Sequence, residues 1–173
     1  MRTTAYILIA LTIASSAAQI TVVNNCTSTV TVYSLMYEGK INPYKNGKNF
    51  TSGQSETIKV SVLWSGDFWA NEMKTFVAVG FNPFQDAAYY SGSVQEGFNT
   101  AMEIAPRNST CPTLRCLGKP SDDCMNTYQE QEVVTKVKRC SLYTSFTITF
   151  CPNGSSQLSN LESNKTEKSF LSQ

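Results

Sequence analysis

The chain has 173 residues, with 14 Lys+Arg against 13 Asp+Glu and no histidine. A charge so nearly balanced, without a basic block or an acidic tail, excludes electrostatic capture of nucleic acid or of an anionic membrane surface. The missing imidazole excludes Ser-His and Cys-His nucleophile pairs and histidine metal ligands, which leaves carboxylates as the groups available for hydrolysis.

Residues 1–18, MRTTAYILIALTIASSAA, combine one early cation (Arg2), an apolar run from Tyr6 to Ile13, and small residues Ser16 and Ala18 at a cleavable spacing. That pattern predicts a secretory signal peptide. A transmembrane helix is disfavoured, because a span needs about 20 apolar residues and this run breaks at Ser15-Ser16. The C-terminal SFLSQ is too short and polar for a lipid-anchor signal. The expected organisation is a signal peptide (1–18), one β domain (19–152) and a flexible polar tail (153–173), in a secreted, extracellular product. Arg2 accounts for the formal +1, so the expected mature chain carries thirteen charges of each sign.

Strand-like runs follow in order: ITVVNN, STVTVYSL, ETIKVSV, GDFWA, TFVAVGF, EVVTKVK and SFTITF. Most alternate with period two or are rich in β-branched and aromatic residues. In SFTITF, Phe146, Ile148 and Phe150 share one face and the threonines the other. Alternation of this kind describes sheets with one buried and one wet face, which points to an all-β antiparallel sandwich or flattened barrel of about ten strands. Turns are expected at EGKINPYKNGKN, TSGQ, WSGD, FNPFQD, YYSGS and LGKPSDD. The stretch GFNTAMEIAPRNSTCPTLRC (97–116) shows neither period and reads as an irregular segment.

The six cysteines, Cys26, Cys111, Cys116, Cys124, Cys140 and Cys151, all follow the leader, and an even count in an oxidising compartment predicts three disulfides out of fifteen possible pairings. Zinc binding by the 111/116/124 cluster is disfavoured, since secreted thiols oxidise and no histidine completes a site. No metal and no cofactor is expected. Sequons place candidate N-glycans at Asn49, Asn108, Asn153 and Asn164. Asn25 is a poorer acceptor, because its middle residue, Cys26, is expected in a disulfide at a strand end.

The ordered stretches ITVVNNCTSTVTVY, SGQSETIKV, GDFWA, GFNTAMEIAP, CPTLRC and ITFCP resemble the thaumatin-like protein family. The segment Gly97-Phe98-Asn99, Met102, Pro106, Cys111-x4-Cys116 and Cys116-x7-Cys124 carries most of the likeness. The resemblance implies a flattened two-sheet β-barrel whose first and last strands are tied by a Cys26–Cys151 disulfide. It also implies a Cys111–Cys140 bridge. The family's disulfide-rich middle module is missing between about Cys124 and Val133, so Cys116 and Cys124 are assigned to each other as the remaining pair. The implied roles are extracellular binding in defence, with a cell-wall polysaccharide such as β-glucan or an extracellular protein as partner. The expected state is a monomer, with no membrane span and no nucleic-acid partner.

Many relatives carry an arginine and four carboxylates in an acidic cleft. Carried over one by one, the arginine falls on Asn71, a glutamate on Ala78 and an aspartate on Ser91. The acid preceding Gly-Phe-Asn is kept as Glu96, and the last belongs to the missing module. The expectation is therefore a binding protein without enzymatic activity. The alternative is a weak endo-β-1,3-glucanase using Glu96, with Asp86 or Glu103 as the nearest second acids by sequence; such chemistry needs two carboxyls about 5 to 9.5 Å apart. Aromatic rings can also stack on sugars, and Tyr89, Tyr90, Phe84, Trp64 and Trp69 supply candidates. Trp69 and Phe98 are expected in the core from their places in the family pattern and the tyrosines at the barrel rim, with Trp64 and Tyr90 singled out as ligand-binding candidates beside Glu96.

Overall fold

The structure, a computed structural model, describes residues 17–107, 110–118, 123–126 and 136–154. Among these, eleven strands form two sheets. They are β1 (Ala17–Asn24), β2 (Val30–Glu38), β3 (Lys48–Phe50), β4 (Ser55–Ser61), β5 (Ser65–Ala70), β6 (Phe76–Asn82), β7 (Ala87–Ser93), β8 (Met102–Arg107), β9 (Leu114–Cys116), β10 (Lys138–Ser141) and β11 (Ser145–Phe150). The five-stranded sheet runs β4-β1-β11-β8-β9 and the six-stranded sheet β10-β7-β6-β5-β2-β3. Neither sheet closes on itself, so the architecture is an all-β sandwich and not a flattened barrel. One pair departs from the antiparallel rule: β1 and β11 lie parallel, from Ile20↔Phe146 to Asn24↔Phe150.

The period-two runs decide what goes inside. Phe146, Ile148 and Phe150 of β11, Ile20 and Val22 of β1, and Met102 and Ile104 of β8 are fully buried. Val32, Phe68, Val77 and Tyr90 face them from the other sheet and are buried as completely. The two layers meet ring against ring, with Phe146 at 5.2 Å from Tyr90 and 6.0 Å from Phe81. Each such side chain removed from water contributes roughly 1.5–3 kcal/mol, which makes this interlayer seam the main source of stability.

Three disulfides join Cys26 to Cys151, Cys111 to Cys140 and Cys116 to Cys124. The first ties the ends of the parallel pair β1 and β11 across a sequence separation of 125. The others span 29 and 8 residues. Loop-closure entropy ranks them at ~5, ~3.5 and ~2.5 kcal/mol, as upper guides.

Several sequence expectations need correction. WSGD and YYSGS were expected as turns, yet Ser65–Asp67 belong to β5 and Tyr89–Ser93 to β7. Their glycines serve close packing. A Cβ at Gly92 would lie 2.4 Å from Cys116 Sγ and 2.6 Å from Cys124 Sγ, so only glycine leaves room for that disulfide. A Cβ at Gly66 would lie 2.3 Å from the Leu35 carbonyl oxygen, beside the bulge between Met36 and Glu38. The irregular stretch 97–116 contains β8 and β9, in which Pro106 pairs with Phe146 beyond the part of β8 that β9 covers. A proline is tolerated there because no strand on that side needs its missing N–H. The EVVTKVK strand lies mostly outside the described residues; Lys136 and Val137 are not in a strand, and β10 opens at Lys138. At the other end of the described residues β1 starts at Ala17, and Ala18 is buried opposite its partner Val60.

Candidate functional site

The outer face of the six-stranded sheet carries the groups best placed for recognition. Cross-strand register arranges its side chains in rows. One row runs Tyr33, Trp69, Phe76, Ser93; the next runs Leu35, Asp67, Ala78, Ser91. A third runs Ser65, Gly80, Tyr89, Arg139. The first row is aromatic, the second has a carboxylate at its centre, and the third ends on a guanidinium.

Trp69 is half-buried on this face and stacks on Tyr33, with ring centroids 5.8 Å apart and planes 12° from parallel. The pairing is enforced by strand register, since Tyr33 of β2 lies directly opposite Trp69 of β5. Gly47 helps seat the stack, as a Cβ there would come within 2.7 Å of the Tyr33 ring. This corrects the expectation that placed Trp69 in the core. Phe68 occupies the inward position, so period two sends its neighbours Asp67 and Trp69 outward. Phe98 is also only half-buried, packed beside Gly118.

Asp67 is 2 % exposed and accepts a hydrogen bond from the Tyr37 hydroxyl at 2.5 Å. Burial pushes its carboxyl pKa up, and the Tyr37 hydrogen bond pulls it part of the way back. The carboxylate sits in a hollow of about 170 Å³ bordered by Tyr37, Ser65, Tyr89, Ser91 and Val137. Ala78 and Gly80 also line it. The accessible lining of the hollow is almost entirely apolar, and the half-buried Trp69–Tyr33 stack lies beside it on the same face. Sequence reasoning missed Asp67, because alternation in GDFWA does not by itself say whether Phe68 or its neighbours Asp67 and Trp69 face the core.

The residues named from sequence separate widely. Trp64 is fully buried against Phe68, with centroids 5.6 Å apart, and its Nε1–H donates to the Ile41 carbonyl at 2.9 Å. Tyr90 is 1 % exposed, and its hydroxyl donates to the Pro112 carbonyl at 2.5 Å. Burial first, and then the charge of Asp123, push the Tyr90 phenol up to about 12. Neither ring has a free face for a ligand, so both candidates are corrected to core residues. Glu96 is exposed in the turn after β7, next to Gly97 at φ 104°.

The acids proposed to accompany Glu96 are elsewhere. Asp86 closes the turn before β7, and the seven residues of that strand, at about 3.3 Å each, put it roughly 20 Å from Glu96. Glu103 is on the other sheet, bonded to Arg115 Nε at 2.6 Å. Asn71, where the family arginine would fall, adopts φ 57° and ties the end of β5 to β2: its N–H donates to the Thr31 carbonyl and its Oδ1 accepts from the Thr31 N–H. Ala78 and Ser91, where two family acids would fall, lie in the same row as Asp67. Among the described residues no group of three His, Cys, Asp or Glu side chains could hold a metal, and no helix is long and apolar enough to cross a membrane. Of the sequons, Asn49 and Asn153 are exposed, while the Asn25 side-chain nitrogen donates to the Cys151 carbonyl at 3.0 Å. Asn108 and Asn164 lie outside the described residues.

This two-sheet, three-disulfide architecture is a thaumatin-like fold. The protein elicitor MoHrip2 from Magnaporthe oryzae superposes with a TM-score of 0.58 at 22% identity, covering 78% of this chain and 99% of its own. The thaumatin-like xylanase inhibitor TLXI superposes with a TM-score of 0.56 at 18% identity, covering 77% and 99%. No protein-family model matches the sequence, and no curated protein sequence does.

Proposed function

We propose that this is a short member of the thaumatin-like family, secreted after loss of its leader, which acts by extracellular binding in a defence or interaction role. Its ligand on this reading is a neutral cell-wall polysaccharide of the β-glucan class, laid across the outer face of the six-stranded sheet. The observation that carries the reading is the Trp69–Tyr33 stack beside the Asp67 hollow. Pyranose rings present apolar C–H patches to such a stack, and their hydroxyls would reach the Tyr89 hydroxyl beside it. Two structural neighbours, an elicitor and a xylanase inhibitor, support an interaction role. N-glycans at Asn49 and Asn153 fit the same extracellular setting.

The test is calorimetric or gel-retardation binding of the oxidised mature chain to soluble β-1,3-glucan. Trp69→Ala should weaken binding at least about tenfold, as expected for loss of an aromatic platform contributing more than 1 kcal/mol. Wild-type affinity in that variant, or no binding by the wild type, overturns the polysaccharide reading.

A further inference from the structure

The six-stranded sheet ends at β3, an edge strand with a neighbour only in β2, and β3 opens the sequon Asn49-Phe50-Thr51. Parity sends Phe50 into the core, where it is fully buried, and Asn49 outward, where it is exposed. Register sets Asn49 opposite Thr31, and Thr31 is two residues from Tyr33 on the same face of β2. Asn49 and Tyr33 are therefore diagonal neighbours on one sheet surface, about 7–8 Å apart. Directly across from Tyr33, on the side away from β3, is its stacking partner Trp69.

The Asn49 side chain leans toward that stack. Its Oδ1 accepts from the Thr31 hydroxyl at 2.8 Å, which draws the amide over β2 and away from the open edge of β3. Among the described residues no group accepts from its Nδ2, the atom that carries an N-linked sugar. Asn25 is the opposite case, because its Nδ2 is engaged by the Cys151 carbonyl at 3.0 Å. On the β3 side of Tyr33 the neighbour is Gly47, where a Cβ would come within 2.7 Å of the ring and 3.0 Å of the Thr31 methyl. Glycine thus keeps a side chain off this flank, and the Tyr33 ring stays half-exposed beside an asparagine that can be glycosylated.

We infer that Asn49 is N-glycosylated and that its innermost N-acetylglucosamine packs on the Tyr33–Trp69 stack, so that the aromatic platform seats the protein's own glycan. In the covalent step a secretory transferase joins C1 of the sugar to Nδ2. The lipid diphosphate that carried the glycan leaves, and Nδ2 gives up one of its two protons. The amide carbonyl is unchanged by this step, so the Thr31 bond that orients it is kept. The apolar C–H face of the pyranose and the methyl of its acetamide then cover ring surface that is otherwise wet. On the polysaccharide reading above, such a glycan regulates the site, since it takes the Tyr33 end of the platform and leaves a free chain the Trp69 end. The seat itself does not rest on that reading, because occupancy, melting and quenching are all measured without glucan.

The full chain, leader included, is expressed in a yeast that secretes high-mannose glycans and is trimmed with endoglycosidase H, which leaves one N-acetylglucosamine on each occupied asparagine. Peptide mass mapping should find that sugar on Asn49. The control is Thr51→Ala, which ends the sequon and leaves Asn49 and its Thr31 bond in place. The trimmed wild type should melt roughly 2–4 °C above Thr51→Ala, as one added aromatic contact would give in a domain of this size. That difference should persist in a Tyr33→Phe background, which retains the ring, and vanish in Tyr33→Ala. A second readout does not depend on stability. The chain has two tryptophans and Trp64 is fully buried, so acrylamide quenching reports Trp69. The trimmed wild type should be quenched less than Thr51→Ala. An unmodified Asn49 overturns the inference. So do equal melting of the two proteins, a melting difference that survives Tyr33→Ala, and quenching that is the same with and without the sugar.

Discussion

The two faces of the six-stranded sheet are built from the same strands and do opposite things. Strand β5 sends Phe68 and Ala70 inward to complete burial and Asp67 and Trp69 outward. On the inner face each polar atom of the large aromatics is directed to a main-chain carbonyl, as Trp64 Nε1 is to Ile41 and Tyr90 OH to Pro112, which leaves no ring surface for a ligand. The exception is Tyr44, whose buried hydroxyl has no partner among the described residues and whose pKa is raised by burial and then by the charge of Glu56. On the outer face the Tyr33–Trp69 stack is only half-buried, while the Asp67 carboxylate beside it is buried under its bond from Tyr37. An aromatic residue in a β sandwich is thus assigned to stability or recognition by the parity of its position, and residue type alone does not decide it.

The largest expected effect tests that assignment on adjacent residues. Phe68→Ala removes a fully buried ring touching Trp64 and Tyr44, and should cost about 3–5 kcal/mol. Trp69→Ala, one residue later, should cost about 1 kcal/mol, since its ring is half in water. Urea unfolding of the two variants checks this. Comparable midpoint shifts would mean that the outer stack is a structural element and would weaken its role as a platform.

A smaller effect concerns the carboxylate. Burial raises the folded-state pKa of Asp67 above its unfolded value, so the folded chain binds this proton more tightly than the unfolded chain does. The stability this confers is present in full at low pH and is lost as pH rises through the folded-state pKa. Asp67→Asn stays neutral and can still accept from Tyr37, so it should gain stability relative to the wild type as pH rises above the ordinary carboxylate range near pH 4. Parallel stability curves for the two proteins above that range would show that Asp67 is better solvated than its burial implies. Tyr37→Phe should act in the other direction at neutral pH, because it removes the hydrogen bond that favours the charged form.

What the sequence could reveal follows from the same parity. SFTITF and STVTVYSL alternate cleanly and announce strands with one wet face, and the ordered family motifs point to a two-sheet fold with the three cysteine pairs now seen. YYSGS and WSGD misled because Ser and Gly there are selected by packing against a disulfide and a carbonyl, which lie far away in sequence. The parallel pairing of β1 with β11 was hidden for a similar reason, as it joins the two ends of the domain. The site was less legible than the fold. In GDFWA, alternation alone allows Trp69 inside with Asp67, or outside with Asp67, and the long-range register with Tyr33 and Ala78 settles the choice.

The smallest expected effect is at Glu96, and it decides between binding and catalysis. Glu96 is exposed in a turn, while Asp86 is a strand length away and Glu103 is engaged with Arg115 on the other sheet. Hydrolysis by paired acids would require one of them within about 5 to 9.5 Å, with one pKa raised. Glu96→Gln should therefore leave stability within about 0.5 kcal/mol of wild type, leave β-1,3-glucan binding unchanged, and alter no reducing-sugar release. The decisive measurement is a reducing-sugar assay on β-1,3-glucan with both proteins purified identically. If wild-type release were clear and the single change abolished it, the carboxylate at the head of the Gly97-Phe98-Asn99 turn would be catalytic. The outer sheet face would then be the substrate platform of an enzyme, with Asp67 the first carboxylate to test as its second acid.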